Sequence, residues 1–110
     1  MTENFILPPA LEKGDKIAVV AVGNGATKKS MPEAYGNALE KLRDRFDLEP
    51  VEFPMTQKTP EYLTEHPEER AEELMEAFRR EDIKGVIAVT GGSGEQIRIL
   101  KHLDPKVLRN

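Results

Sequence analysis

Two short stretches of this chain are apolar at every position and end on glycine: Ile17-Ala18-Val19-Val20-Ala21-Val22 before Gly23-Asn24-Gly25, and Val86-Ile87-Ala88-Val89 before Thr90-Gly91-Gly92-Ser93-Gly94. A strand with one wet face alternates apolar and polar residues, whereas a strand covered on both faces does not. Both runs therefore read as interior strands of a sheet with helices on either side. The apolar spacing of Met31, Tyr35, Ala38, Leu39, Leu42 and Phe46 predicts a helix after the first strand, with Ser30 and Glu33 in capping-box spacing at its start. Val51 and Phe53 flank Glu52 in a short second strand, and Pro50, which has no N–H to donate, sends that strand to an edge.

The stretch from Thr56 to Glu65 reads as a polar loop. Pro67 then opens a second helix with Ala71, Leu74, Met75 and Phe78 on its buried stripe, acids toward its start and Arg79 and Arg80 at its end. The acids between Glu65 and Glu76 read as a solvated face, with Glu76 and Arg80 as an i,i+4 pair. A third helix is expected from Glu95 to Leu103, stopped by Asp104-Pro105, with the first turn of another after it. Strands alternating with helices pair in parallel through right-handed crossovers. With the proline-bearing strand at an edge, the predicted order is 2-1-3, an α/β sheet whose first and third strands send their helices to opposite faces. Their carboxyl ends form a topological switch point, the place where such sheets bind ligands.

The 110 residues amount to one domain or less. Charged residues make up 33% and hydrophobic ones 38%, enough apolar material for a packed core. The net charge of −4 comes from interspersed acids and bases, so no basic face emerges and nucleic acid is not an expected partner. Without cysteine, and with only His66 and His102, no metal site is expected and no cofactor is implied. Glu3, Pro8 and Pro9 are wrong for a signal peptide, and Ile17 to Val22 is far shorter than the ~20 residues that cross a bilayer. A cytoplasmic protein with no membrane partner is the expectation.

Gly23-Asn24-Gly25-Ala26-Thr27-Lys28-Lys29-Ser30 sits where a phosphate loop would sit, but Lys28 stands where a P-loop needs glycine and where the third glycine of a dinucleotide fingerprint would fall. It reads as a plain strand-to-helix turn. Gly91-Gly92-Ser93-Gly94 is more pointed, because a sharp turn between an interior strand and a helix exposes a serine hydroxyl above the sheet. Ser93 is the candidate nucleophile, and the backbone N–H groups of Gly92 and Gly94 are candidate oxyanion donors. Gly91, Glu95 and Gln96 are the candidate substrate-binding residues beside it. Neither histidine is an obvious base: His102 lies nine residues along the third helix, roughly 13 Å away, and His66 belongs to the loop before the second helix.

Pro8-Pro9-Ala10-Leu11, Gly14-Asp15-Lys16-Ile17-Ala18-Val19-Val20-Ala21, the run Glu69-Arg70-Ala71-Glu72-Glu73-Leu74-Met75-Glu76-Ala77-Phe78, and Gly91-Gly92 with Leu100 and Leu103-Asp104 resemble the N-terminal part of the LD-carboxypeptidase family, which includes the microcin C self-immunity serine peptidases. The resemblance implies a three-layer, flavodoxin-like N-terminal domain over residues 1–110, its sheet incomplete and the C-terminal domain absent. It also implies a cytoplasmic, usually homodimeric serine peptidase with a Ser-Glu-His triad. The substrates would be small: murein LD-peptides or microcin C-type peptide-nucleotides. In that family the serine follows the glycine pair, with the Glu and His supplied by the C-terminal domain, so this chain alone is expected to be inactive. The family's serine comes three residues after the second glycine, where Glu95 stands here; counted back from Asp104, Gln96 holds that slot. The alternative expectation is a non-catalytic α/β module that binds a small ligand in the same crevice.

Overall fold

The computed structural model describes residues 8–89, 91 and 94–109. Three strands, β1 (Lys16–Val20), β2 (Glu49–Glu52) and β3 (Ile83–Ala88), form one parallel sheet in the order β2-β1-β3, as the sequence predicts. The central strand is the buried one: Ile17, Ala18, Val19 and Val20 are all 3% exposed or less. β3 carries the apolar run Val86 to Val89 and has β1 as its one neighbour among the described residues, so Ile87 is 41% exposed. The other edge is β2, where Pro50 sits opposite Ile17 and removes one donor from the ladder.

After β1 comes a single turn, α1 (Thr27–Ser30), and then α2 (Pro32–Asp44). The expected capping box does not form. Pro32, with φ preset for the first helical position, fixes the start one residue later, and the Ser30 hydroxyl instead donates back to the carbonyls of Ala26 and Gly25. α2 presses Tyr35 and Leu39 onto Val19, while Met31 and Phe46, expected on its stripe, lie beyond its ends and are exposed. An apolar groove of about 240 Å³ runs between α2 and β3, past Val19, Met31, Tyr35, Ile87 and Val89.

The segment expected to be a loop after β2 contains a 3₁₀ turn (Pro54–Gln57) and a helix, α3 (Pro60–Glu65). Thr59 caps α3 by accepting from the Tyr62 N–H at 3.2 Å, Pro60 occupies its first position, and Leu63 is wholly buried against Ala21, Ala26 and Met55. α4 (Pro67–Arg79) covers the face opposite α2, with Leu74 and Ala77 packed against Ala18, Val20 and Phe53. Its last residues also depart from expectation: Arg80 leaves the helix with extended backbone and pairs with Asp82 at 2.7 Å, and Arg79 takes Glu76. Glu95–His102 is a 3₁₀ segment and not an α-helix, packed on α4 and with Ile99 buried, followed by α5 (Pro105–Leu108), capped by the Asp104 side chain. The α2 layer and the α4 layer thus lie on opposite faces of the sheet.

Candidate functional site

The loops that leave β1 and β3 meet at the carboxyl edge of the sheet. Gly23 is buried in the first loop, and a Cβ placed on it would lie 2.9 Å from the Gly91 carbonyl oxygen and 3.2 Å from the Gln96 side chain. Gly91 has φ +104°, a left-handed conformation suited to glycine, and a Cβ there would stand 3.2 Å from the Gly25 Cα. The backbones can approach this closely because both loops carry hydrogen at the point of contact. Gly23→Ala is therefore expected to destabilise the chain by ~1–3 kcal/mol, since a backbone carbonyl cannot rotate out of the way as a side chain can. Gly36→Ala, inside α2 with nothing within 4 Å, should stabilise by ~0.5–1 kcal/mol. Thermal melts of the two variants should move in opposite directions.

Of the residues singled out in the sequence, Gly91, Gln96 and Glu95 come together at this junction, and Gly94, at φ +85°, opens the 3₁₀ segment on the same side. Gly92 and Ser93 lie outside the described residues. Glu95 is not open to the crevice in the way its position in the chain suggests. One carboxylate oxygen accepts from the Arg70 guanidinium at 3.2 Å and from Arg98 at 3.1 Å, leaving the side chain 16% exposed.

The structure adds two groups on α4: Arg70, to which sequence reading gave no role, and Glu73, which it placed on a solvated face. Arg70 of α4 is fully buried, and its Nη1 donates to the Val22 carbonyl at 2.7 Å and the Glu95 carbonyl at 3.2 Å. Burial lowers its affinity for the proton and Glu95 restores part of it; a guanidinium remains charged in either case. Glu73, one helical turn along, is 7% exposed and accepts from the Ala21 N–H at 3.1 Å and the Met55 N–H at 2.7 Å, tying the residue after β1 to the 3₁₀ turn after β2. Burial pushes this carboxyl up to about 7, against the pull of the two backbone donors. The acidic stretch of α4 is thus a solvated face only in part.

Around the rim, the Asn24 side-chain amide donates to Thr64 Oγ1 at 2.9 Å, and Arg98 reaches the Thr64 carbonyl at 3.3 Å. Beyond the first loop, Glu52 accepts from Lys28 at 2.9 Å and from the Tyr35 hydroxyl at 2.8 Å; the Lys28 bond is the main reason its carboxyl sits below the usual range. His66 sits at the junction of α3 and α4, stacked on Tyr62 with ring centroids 3.9 Å apart and its Nδ1 2.8 Å from the Tyr62 carbonyl oxygen. With Glu68 and Glu69 it forms a group whose ligand atoms lie within 4.8 Å of one another, and its Nε2 is 3.6 Å from Glu69. His102 closes the 3₁₀ segment at the end far from Gly94. Among the described residues no helix is long and apolar enough to cross a membrane.

An open parallel sheet with two glycine-bearing loops abutting at the switch point defines an α/β domain of the class that binds ligands outside the carboxyl ends of its strands. The chain belongs to the LD-carboxypeptidase N-terminal domain family, Peptidase S66, whose profile matches residues 17–110. Its fold is that of solved relatives. An MccF-like protein from Bacillus anthracis str. Ames superposes with a TM-score of 0.79 at 24% identity, over 96% of this chain and 31% of that one. An MccF-like protein from Streptococcus pneumoniae, solved in complex with AMP, gives 0.67 at 25% identity, over 81% of this chain and 26% of that one. The microcin C7 self immunity protein MccF gives 0.79 at 22% identity, over 94% and 30%. The chain therefore spans less than a third of the length of these neighbours. No curated protein sequence matches it.

Proposed function

We propose that this domain supplies the nucleophile side of an LD-carboxypeptidase-type serine peptidase site. Ser93 attacks the scissile carbonyl, the N–H groups of Gly92 and Gly94 receive the oxyanion, and Gly91 and Gln96 border the substrate, with Glu95 holding the loop that carries them. The observation that supports this reading is the abutment of Gly91 on Gly23 and Gly25 beyond the carboxyl ends of β1 and β3, two residues before Ser93 in the chain. The base and its orienting carboxylate would come from a C-terminal domain, and the active assembly would be a cytoplasmic homodimer acting on murein LD-peptides or microcin C-type peptide-nucleotides. Solved neighbours carrying AMP, aspartyl sulfamoyl adenosine and glutamyl sulfamoyl guanosine support a small, nucleotide-like ligand.

Without a base the serine hydroxyl is a weak nucleophile. The 110 residues alone are expected to show no turnover of an LD-tetrapeptide above background. A fluorophosphonate probe should still label Ser93 slowly, as mapped by mass spectrometry, and Ser93→Ala should abolish the adduct. Turnover by the isolated chain that disappears in Ser93→Ala would overturn the half-site reading.

One observation favours a second reading, a module that binds a small ligand without chemistry. Glu95, standing three residues after Gly92, is locked between two arginines and offers neither a nucleophile nor a free base. Calorimetric binding of AMP with no probe adduct on Ser93 would select this reading over the first.

A further inference from the structure

The Arg70 side chain is wholly buried, yet it is neither part of the apolar core nor one half of a simple ion pair. One of its nitrogens donates to two carbonyls from different loops: Val22, on the way out of β1, and Glu95, just past the glycines that follow β3. Its second terminal nitrogen holds the Glu95 carboxylate, which Arg98 also holds while reaching the Thr64 carbonyl. Thr64 in turn accepts from Asn24 of the first loop. The Arg70 Nε has no partner among the described residues. Fold stability alone does not account for such a residue, since a buried ion pair is commonly matched or bettered by apolar side chains of similar volume. A planar guanidinium offers what an apolar side chain cannot: donors fixed in one plane that reach two backbone segments at once.

We infer that Arg70, with Glu95 and Arg98, is a latch that holds the loop after β1 and the start of the 3₁₀ segment at Glu95 at a fixed separation, so that this end of the sheet is preformed. Arg70 is a positioning residue in this scheme and touches no ligand. The scheme matters for function only if the crevice is the site, as proposed above, but its test reads no ligand and no turnover, so either idea can fail without the other.

The test is amide hydrogen exchange on the full chain, comparing the wild type with Arg70→Met, Glu95→Gln and, as a reference, Leu39→Ala on the far face. In Arg70→Met the amides of Lys29 and Ser30, bonded to the Ala26 carbonyl, and of Ile97, bonded to that of Gly94, should exchange about ten- to a hundredfold faster relative to the amides of β1. In Leu39→Ala loop and strand amides should change together, because that variant weakens the core without touching the latch. If Arg70→Met does not fold, Glu95→Gln, which keeps the side-chain volume, should show the same loosening to a smaller extent. Loop amides that follow the β1 amides in Arg70→Met, or that exchange at the wild-type rate in Glu95→Gln, overturn the latch.

Discussion

Replacing Arg70 by Met is expected to destabilise the folded chain by ~3–5 kcal/mol, the range seen when one partner of a buried ion pair is removed. Three losses combine. The Val22 carbonyl loses a donor at 2.7 Å, the Glu95 carbonyl loses one at 3.2 Å, and the Glu95 carboxylate, 16% exposed, keeps Arg98 as its only cation among the described residues. A domain of this size is held by ~5–15 kcal/mol, so the change removes a large share of the total. The melting temperature should fall by about 15 °C or more. Glu95→Gln should cost less, since Arg70 keeps both carbonyls, and adding it to Arg70→Met should recover part of the loss by removing a largely buried carboxylate left with half of its cationic partners. Denaturant melts of the two single variants and the double variant check this. A loss below ~1 kcal/mol in Arg70→Met would mean that water or a neighbouring side chain takes over the carbonyls.

The sheet was legible in the sequence because burial on both faces leaves an unbroken apolar run, and Ile17 to Val20 is such a run. Strand order followed from Pro50, whose missing N–H belongs at an edge, and both strand pairs are parallel. What escaped was of two kinds. Local signals are outvoted by polarity: Thr59-Pro60 before Tyr62-Leu63 is a capped helix start, but it sits among Thr, Gln, Lys and Glu and reads as a loop. The other kind is long-range. Arg70 finds Glu95 25 residues away, and Glu73 finds Ala21 at a separation of 52, and no periodicity encodes a partner at that distance. Their helical positions did carry a hint, because Arg70, Glu73 and Ala77 fall on one face at spacings of three and four, beside the apolar stripe. The close approach of Gly23 to Gly91 excludes a side chain at both positions, but the sequence shows only two glycine-rich loops after two strands and not the contact between them.

Glu73 should make the chain less stable as neutral pH is approached from below. Its carboxyl titrates at about 7 in the folded chain, against 4.5 ordinarily, because burial disfavours the charged form more than the Ala21 and Met55 N–H groups favour it. The folded state therefore holds this proton more tightly than the unfolded state. The stabilisation is complete below pH 4.5, declines as pH rises through the interval between the two values, and is gone above about 7. Between pH 5 and pH 8 the loss is about 2–3 kcal/mol, from 1.36 kcal/mol for each unit of separation. Glu52 and Asp82, whose carboxyls are held low by Lys28 and Arg80 respectively, act in the opposite sense and at more acid pH, so they leave this window to Glu73. Glu73→Gln should be weaker than the wild type near pH 5, because the protonated carboxyl still offers its carbonyl and hydroxyl oxygens to the two backbone N–H groups, whereas the amide NH2 accepts from neither and leaves one donor unmatched. It should then stay level up to pH 8 while the wild type declines toward it. Urea melts of both proteins at pH 5, 6, 7 and 8 measure the two slopes. If Glu73→Gln keeps the wild-type slope, the proton that links folding to pH sits elsewhere, and the Glu73 carboxylate is ionised in the folded chain throughout, held by its two backbone donors.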